Sequence, residues 1–198
     1  SLINCDIWLP DLSQPVAKSM HNISVDIEQI NVNNVNNKRV VRAVSDALNH
    51  GIKLVIYSGF GGQIVGPAHL NLGVPYLHAH SGWLPEYRGS TTIYYSLINN
   101  ASCGVSIIKL ASGLDRGAII ERRNYPPPSA GIDIDLVYDS AIRADLMAYT
   151  LKKWSDDQGI FGGTVQNLEE RGTDYFVIHP ILKHLAIHAT RPGPTDSS

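Results

Sequence analysis

Residues 38–62 read KRVVRAVSDALNHGIKLVIYSGFGG, and this stretch decides the fold class. From Lys38 the apolar positions Val40, Val41, Ala43, Val44, Ala47 and Leu48 recur with the period of an amphipathic helix, and Gly51 supplies the stop. Lys53 to Tyr57 is a short β-rich run that ends in the glycine-dense Ser58-Gly59-Phe60-Gly61-Gly62. Helix, glycine stop, apolar strand and glycine loop is the rhythm of an α/β protein, so a mostly parallel sheet with helices on both faces is expected. Ligand loops in such sheets lie beyond the carboxyl ends of the strands.

The pattern continues downstream. Val74 to His78 reads as the next strand, followed by an irregular segment from Ala79 to Ser90 and a helical one from Thr91 to Asn99. Val105–Leu110 and Ala118–Arg122 are β-branched runs flanking the turn Ser112-Gly113-Leu114-Asp115-Arg116-Gly117. Asp133 to Trp154 suits one long helix capped by Asp133, which Gly159 to Gly163 breaks. The last element is expected over Tyr175 to His188, with a strand-to-helix boundary at His179-Pro180. Residues 1–30, with Pro10 and Pro15, read as loop and edge structure, and residues 31–37 as a turn-rich approach to the helix. A single domain over residues 1–190 with a flexible tail at 191–198 follows.

Composition excludes several classes. The chain has 198 residues, 43% hydrophobic and 17% charged, which is globular rather than disordered. Lys and Arg number 16 against 18 Asp and Glu, for a net charge of −2, so no basic excess points to nucleic acid or an anionic membrane. The two cysteines, Cys5 and Cys103, form no CxxC and indicate neither a disulfide framework nor a cysteine zinc site. Apolar runs such as Leu54–Tyr57 fall far short of the roughly 18 residues of a spanning helix, and the first twenty residues make no signal peptide. A cytoplasmic protein without nucleic-acid or membrane partners is expected.

The densest polar cluster is His78-Ala79-His80-Ser81-Gly82-Trp83-Leu84-Pro85-Glu86-Tyr87-Arg88-Gly89. At a strand end the two-residue side-chain period puts His78 and His80 on one face, beside a glycine-containing loop. Two imidazoles that donate, accept and titrate near neutrality can do acid–base chemistry there; as plain structure they would be capped surface histidines. Asp115, in its glycine-flanked turn, is either a turn-former or a carboxylate that serves the imidazoles. Two imidazoles and a carboxylate are also a zinc or iron ligand set, which leaves a metal-dependent hydrolase open.

Together these pieces resemble the folate-dependent formyltransferases. The hallmark of that family is Asn-x-His, a Leu-Pro-x-Tyr-Arg-Gly loop, a Gly-Val-Ser/Thr strand, then Asp-x-Gly before an Ile-rich strand. Here the loop is Leu84–Gly89, the strand Gly104-Val105-Ser106-Ile107, and the turn Asp115-Arg116-Gly117 precedes Ile119 and Ile120. Gly59-Phe60-Gly61 stands where the family has a Gly-Tyr/Phe-Gly turn. The resemblance is close over residues 38–123 and looser beyond, and it implies a Rossmann-like formyltransferase fold.

It also implies a chemistry: the amine of an acceptor attacks the formyl group of 10-formyltetrahydrofolate, the cosubstrate. By resemblance His80 is the catalytic His and Asp115 its partner carboxylate. His78 falls on the Asn that holds the formyl oxygen, where a neutral imidazole is expected to donate. Gly59, Phe60, Gly61, Trp83, Leu84 and Pro85 are implied on the folate side, and Tyr87, Arg88 and Tyr94 on the acceptor side, with no metal. Trp83 replaces a residue that faces folate in relatives, and the strand and glycine turn that open the family's fold are not recognisable in residues 1–30. The short tail carries no tRNA-binding domain, so a small amine (amino sugar, amino acid or biosynthetic intermediate) is expected, with a homodimer left open. The alternatives are a formyltetrahydrofolate deformylase and a non-catalytic folate-binding relative. His184 and His188, four apart on one helix, read as structural, and Arg122 and Arg123 as either solvated or functional.

Overall fold

The computed structural model describes residues 28–59, 63–157, 162–166 and 172–189. The expectations for residues 1–27, for Phe60 and Gly61, and for the tail at 191–198 lie outside them. The element order is α1 (Lys38–Asn49), β1 (Val55–Ile56), α2 (Pro67–Leu70), β2 (Tyr76–His80), β3 (Tyr87–Gly89), α3 (Thr92–Asn100), β4 (Cys103–Lys109), β5 (Ala118–Tyr125), a π-helical turn (Ile134–Tyr138), α4 (Asp139–Asp156), β6 (Thr173–Tyr175) and α5 (Pro180–Ala189).

α1 starts where the Asn37 side chain accepts the Arg39 N–H, and it stops at Gly51, whose φ of 92° a side chain would oppose. The expected single helix over 133–154 divides instead. Asp133 caps it as expected, accepting the Leu136 N–H, but the first turn is π-helical before α4 proper begins. The last expected element divides too, into β6 and α5, because Pro180 has no N–H to continue a ladder and suits a first helical turn.

The α/β class is as expected, and the strand pairing refines it. The order β1-β2-β4-β5 combines a parallel β1–β2 pair with antiparallel β2–β4 and β4–β5 pairs, where a mostly parallel sheet is expected from the sequence. The turn at 110–117 is the reason at one edge: it is too short for a parallel crossover, so β4 and β5 must run antiparallel. A separate parallel pair joins β3 to β6.

Alternation along β4 sorts the layers. Cys103, Val105 and Ile107, all fully buried, share one core with Ile93 and Leu97 of α3, Ile142 and Leu146 of α4 and Ala186 of α5. The opposite face carries Ser106 and Ile108, and Ile108 packs on Leu84 and Ile119. So the segment after β2 covers the second face where a helix was expected, and α1 has no fully buried residue. That covering segment builds the site.

Candidate functional site

β2 extends two residues further than the sequence suggests, so His78 and His80 lie within a paired strand, opposite Ile108 and Ser106. Leu77 and Ala79 turn to the helical core and the two imidazoles to the other face. His80 is buried, and its Nε2 donates to the Tyr87 carbonyl at 2.7 Å. The chain can close over the ring only because residue 82 is glycine: a Cβ there would stand 2.5 Å from that carbonyl and 2.6 Å from His80 Nε2. Ser106 ties the same turn down, donating to the Gly82 carbonyl at 2.6 Å and accepting the Leu84 N–H at 3.1 Å.

The other nitrogen of His80, Nδ1, faces Asp115 Oδ2 at 3.5 Å. Asp115 holds a left-handed φ of 51°, a conformation Asp tolerates better than most residues. Its Oδ2 accepts the Gly89 N–H at 2.8 Å, and the Gln166 amide donates to the carbonyls of Asp115 and Gly117 at 2.8 and 2.7 Å. The turn is therefore held from three directions.

His78 Nδ1 lies 3.1 Å from the Tyr57 carbonyl. A carbonyl can only accept, so this nitrogen carries the proton, and the neutral ring presents a lone pair at Nε2. Burial pushes the His78 imidazole below its ordinary value; the Tyr57 bond and Asp115 oppose this, while His80 and Arg143 add to it. The ring is thus biased to the neutral form, but as an acceptor. The expected neutral donor to a formyl oxygen does not fit this geometry, because the one N–H is already spent on the backbone. One ligating atom from each of His78, His80 and Asp115 lies within 4.8 Å of the others.

His78 lines one of two cavities on this side of the molecule. One, of about 180 Å³, is lined by Tyr57, Ser58, His78, Ser140, Arg143 and the apolar Met147, among others. Arg143 pairs with Asp139 at 2.7 Å, while its buried Nε lacks a hydrogen-bond partner among the described residues. The other, of about 450 Å³, runs past Trp83, Pro85, Ile119, Ile120, Arg122 and Gln166. There the Arg122 guanidinium stacks 4.5 Å over the Trp83 ring and donates to the Leu84 carbonyl at 2.6 Å. The Gln166 Oε1 is buried and has no hydrogen-bond partner among the described residues.

Other residues singled out from the sequence are placed elsewhere. Leu84 is fully buried in the core, leaving Trp83 and Pro85 to form the wall. Tyr87 serves through its carbonyl; its ring stacks on Tyr175 at 5.3 Å and its hydroxyl takes the Asn100 amide at 2.9 Å. Arg88 is an internal tie, bonded to Asp174 and to the Gly172 carbonyl, each at 2.8 Å. Tyr94 is 1% exposed, and its hydroxyl donates to Asp135 at 2.6 Å, so an aromatic expected at the acceptor pocket is core. Gly59 is exposed next to Ser58. Gln166 and Arg143 were missed: no motif surrounds either, and only the fold brings them near the histidines.

No family model matches the chain. Methionyl-tRNA formyltransferase of Streptococcus mutans is 25% identical over 139 residues, which are 64% of this chain and 44% of that protein. A sugar N-formyltransferase from a Shewanella species superposes with a TM-score of 0.56 at 19% identity, over 80% of this chain and 66% of that one. Methionyl-tRNA formyltransferase from Clostridium thermocellum gives 0.55 at 17% identity, over 81% and 70%. The fold is that of the formyltransferases. The loop Leu84–Gly89, the strand from Gly104 and the turn at Asp115 hold, in this formyltransferase fold, one contiguous site. The chain spans less than half the length of the curated relatives it matches. Among the described residues no helix is long and apolar enough to cross a membrane.

Proposed function

We infer that the protein transfers a formyl group from 10-formyltetrahydrofolate to the amine of a small acceptor. The buried His80–Asp115 pair, 3.5 Å apart on a formyltransferase fold, with His78 two residues away in the wall of a cavity, carries this reading. The residues present fit a folate: Trp83 and Pro85 offer an apolar wall, and Gln166 Oε1 is an acceptor without a donor among the described residues, as a pterin ring rich in N–H groups requires. The folate supplies the electrophilic formyl carbon.

In the transfer the acceptor nitrogen bonds to that carbon, the bond from carbon to N10 breaks, and a proton passes from the amine to N10. His78 Nε2, a lone pair beside the smaller cavity, accepts from the amine. His80, with Asp115 3.5 Å from its Nδ1 as the counter-charge, relays that proton toward N10. Arg143, whose Nε has no partner among the described residues, suits oxygen acceptors on a small molecule. A net charge of −2 offers little to a polyphosphate backbone, so a small amine is favoured over tRNA.

The test is tetrahydrofolate formation from 10-formyltetrahydrofolate against a panel of amino sugars and amino acids, with the N-formyl product identified by mass spectrometry. Release without any amine would instead identify a deformylase, and no turnover with any acceptor or water would leave a folate-binding protein.

A further inference from the structure

The three groups of the site present one chemical problem. His78 Nδ1 is bound to the Tyr57 carbonyl and His80 Nε2 to the Tyr87 carbonyl. Each ring therefore donates one N–H outward to the backbone, and with both rings neutral the remaining nitrogens, His78 Nε2 and His80 Nδ1, are lone pairs. His80 Nδ1 faces Asp115 Oδ2 at 3.5 Å, and one ligating atom from each of His78, His80 and Asp115 lies within 4.8 Å of the others. Two lone pairs and an anion repel unless something positive stands among them. A proton on His80 satisfies one pair of these contacts; it leaves His78 Nε2 unused.

A metal ion would satisfy all three. Histidines that ligate metals nearly always donate their other N–H to a carboxylate, carbonyl or water, which fixes the tautomer and aims the free nitrogen. That outer arrangement already exists here for both rings, and the Gly89 N–H, at 2.8 Å, orients the carboxylate in the same way. The spacing is close as well. Zinc bonds of about 2.0–2.1 Å in a tetrahedron set ligands about 3.3 Å apart. His80 Nδ1 and Asp115 Oδ2 are at 3.5 Å, and no pair among the three ligating atoms is wider than 4.8 Å.

We propose that His78, His80 and Asp115 bind a divalent transition-metal ion, zinc by ligand type, with a fourth position left for water or substrate. His80 and Asp115 are buried, and His78 lines the 180 Å³ cavity, which gives the ion its way in. Three protein ligands and one open position is the form of a catalytic rather than a structural site. The ion and the proton transfer of the formyl-transfer reading use the same lone pairs and exclude one another at any one time, so counting the ion and assaying transfer with and without it tell the two readings apart.

The experiment titrates the full chain, stripped with a chelator and dialysed, with Zn²⁺ and then with Co²⁺. One equivalent of Zn²⁺ per chain is expected, with a rise in melting temperature, and tetrahedral Co²⁺ should add visible absorption bands. His78→Asn should weaken Zn²⁺ binding by more than the roughly 10–100-fold that an outer-sphere partner is worth. Asp115→Asn should do the same and serves if the first variant does not fold. Wild-type protein that takes up less than half an equivalent, or that shows no cobalt bands, overturns the proposal. So does an unchanged Zn²⁺ affinity in both variants. Formyl transfer that persists in metal-free protein would separate the two readings and leave the binding result to stand alone.

Discussion

Asp115→Asn isolates the charge of the carboxylate from its structural work. Asn tolerates a left-handed φ as Asp does, so the backbone at 51° is kept. The amide oxygen can still accept the Gly89 N–H, and the Gln166 bonds go to main-chain carbonyls that the change does not touch. What is lost is a negative charge 3.5 Å from His80 Nδ1. At an effective dielectric of about 20, that attraction is worth about 5 kcal/mol to a full imidazolium. Part of it acts already in the ground state, and the amide dipole replaces a little of it. A fall in kcat/KM of about 10²–10³ is therefore expected, at about 1.4 kcal/mol per decade. Melting temperature should stay within a few degrees. The assay follows tetrahydrofolate released from 10-formyltetrahydrofolate with the best amine of the panel. Turnover within threefold of wild type would refute the argument that Asp115 supplies charge to His80. Asp115→Ala provides the contrast, since a residue without a polar side chain at that φ should cost stability as well, about 1–2 kcal/mol.

Further outcomes follow from neighbouring contacts. Gly82→Ala places a methyl 2.5 Å from the Tyr87 carbonyl and should part it from His80, lowering kcat strongly with a destabilisation of about 1–3 kcal/mol; wild-type turnover would show that this bond is dispensable. Gln166→Leu removes the free Oε1 and the two bonds to the Asp115 turn, so folate binding by calorimetry should weaken at least about tenfold, and an unchanged affinity would take the pterin out of that groove. The Arg88 guanidinium beside Asp174, with Arg116 adding to it, holds the Asp174 carboxyl below its usual value. Its contribution is thus complete above a pH of about 4 and disappears as pH falls through the lower, folded value. Thermal melts between pH 5 and 3 should fall more steeply for wild type than for Asp174→Asn, and parallel curves would remove this pair from the acid response.

The elements that sequence periodicity located well are those whose surroundings are local. α1 and the Gly51 stop, the Asp133 cap and the glycine-flanked Asp115 turn each depend on residues within a few positions. The histidine pair was legible for the same reason, because a period of two puts His78 and His80 on one face wherever the strand ends. Sheet direction was not, since the helix-strand rhythm of residues 38–62 speaks for one parallel pair and not for the hairpin of β4 and β5. Tyr94 and Leu84 went astray because proximity to a motif in the chain says nothing of burial. His78 could be set on a strand face from the sequence but its tautomer could not, because the Tyr57 carbonyl that takes its N–H is 21 residues away, just past β1.

The parallel pair of β3 and β6 has a consequence for how the chain comes off the ribosome. Arg88 and Asp174 are 86 residues apart, yet their ion pair and the Gly89–Tyr175 register pin the same backbone that offers its carbonyl to His80 and its amide to Asp115. At about 5–20 residues per second, the ribosome needs roughly 4–17 seconds to deliver the second strand after the first. Over that interval β2 is already made and β4 follows early, but the stretch over the histidines lacks its lock. A nascent chain halted before Thr173 should therefore hold a core and no working site, so this protein matures in a single late event rather than by degrees.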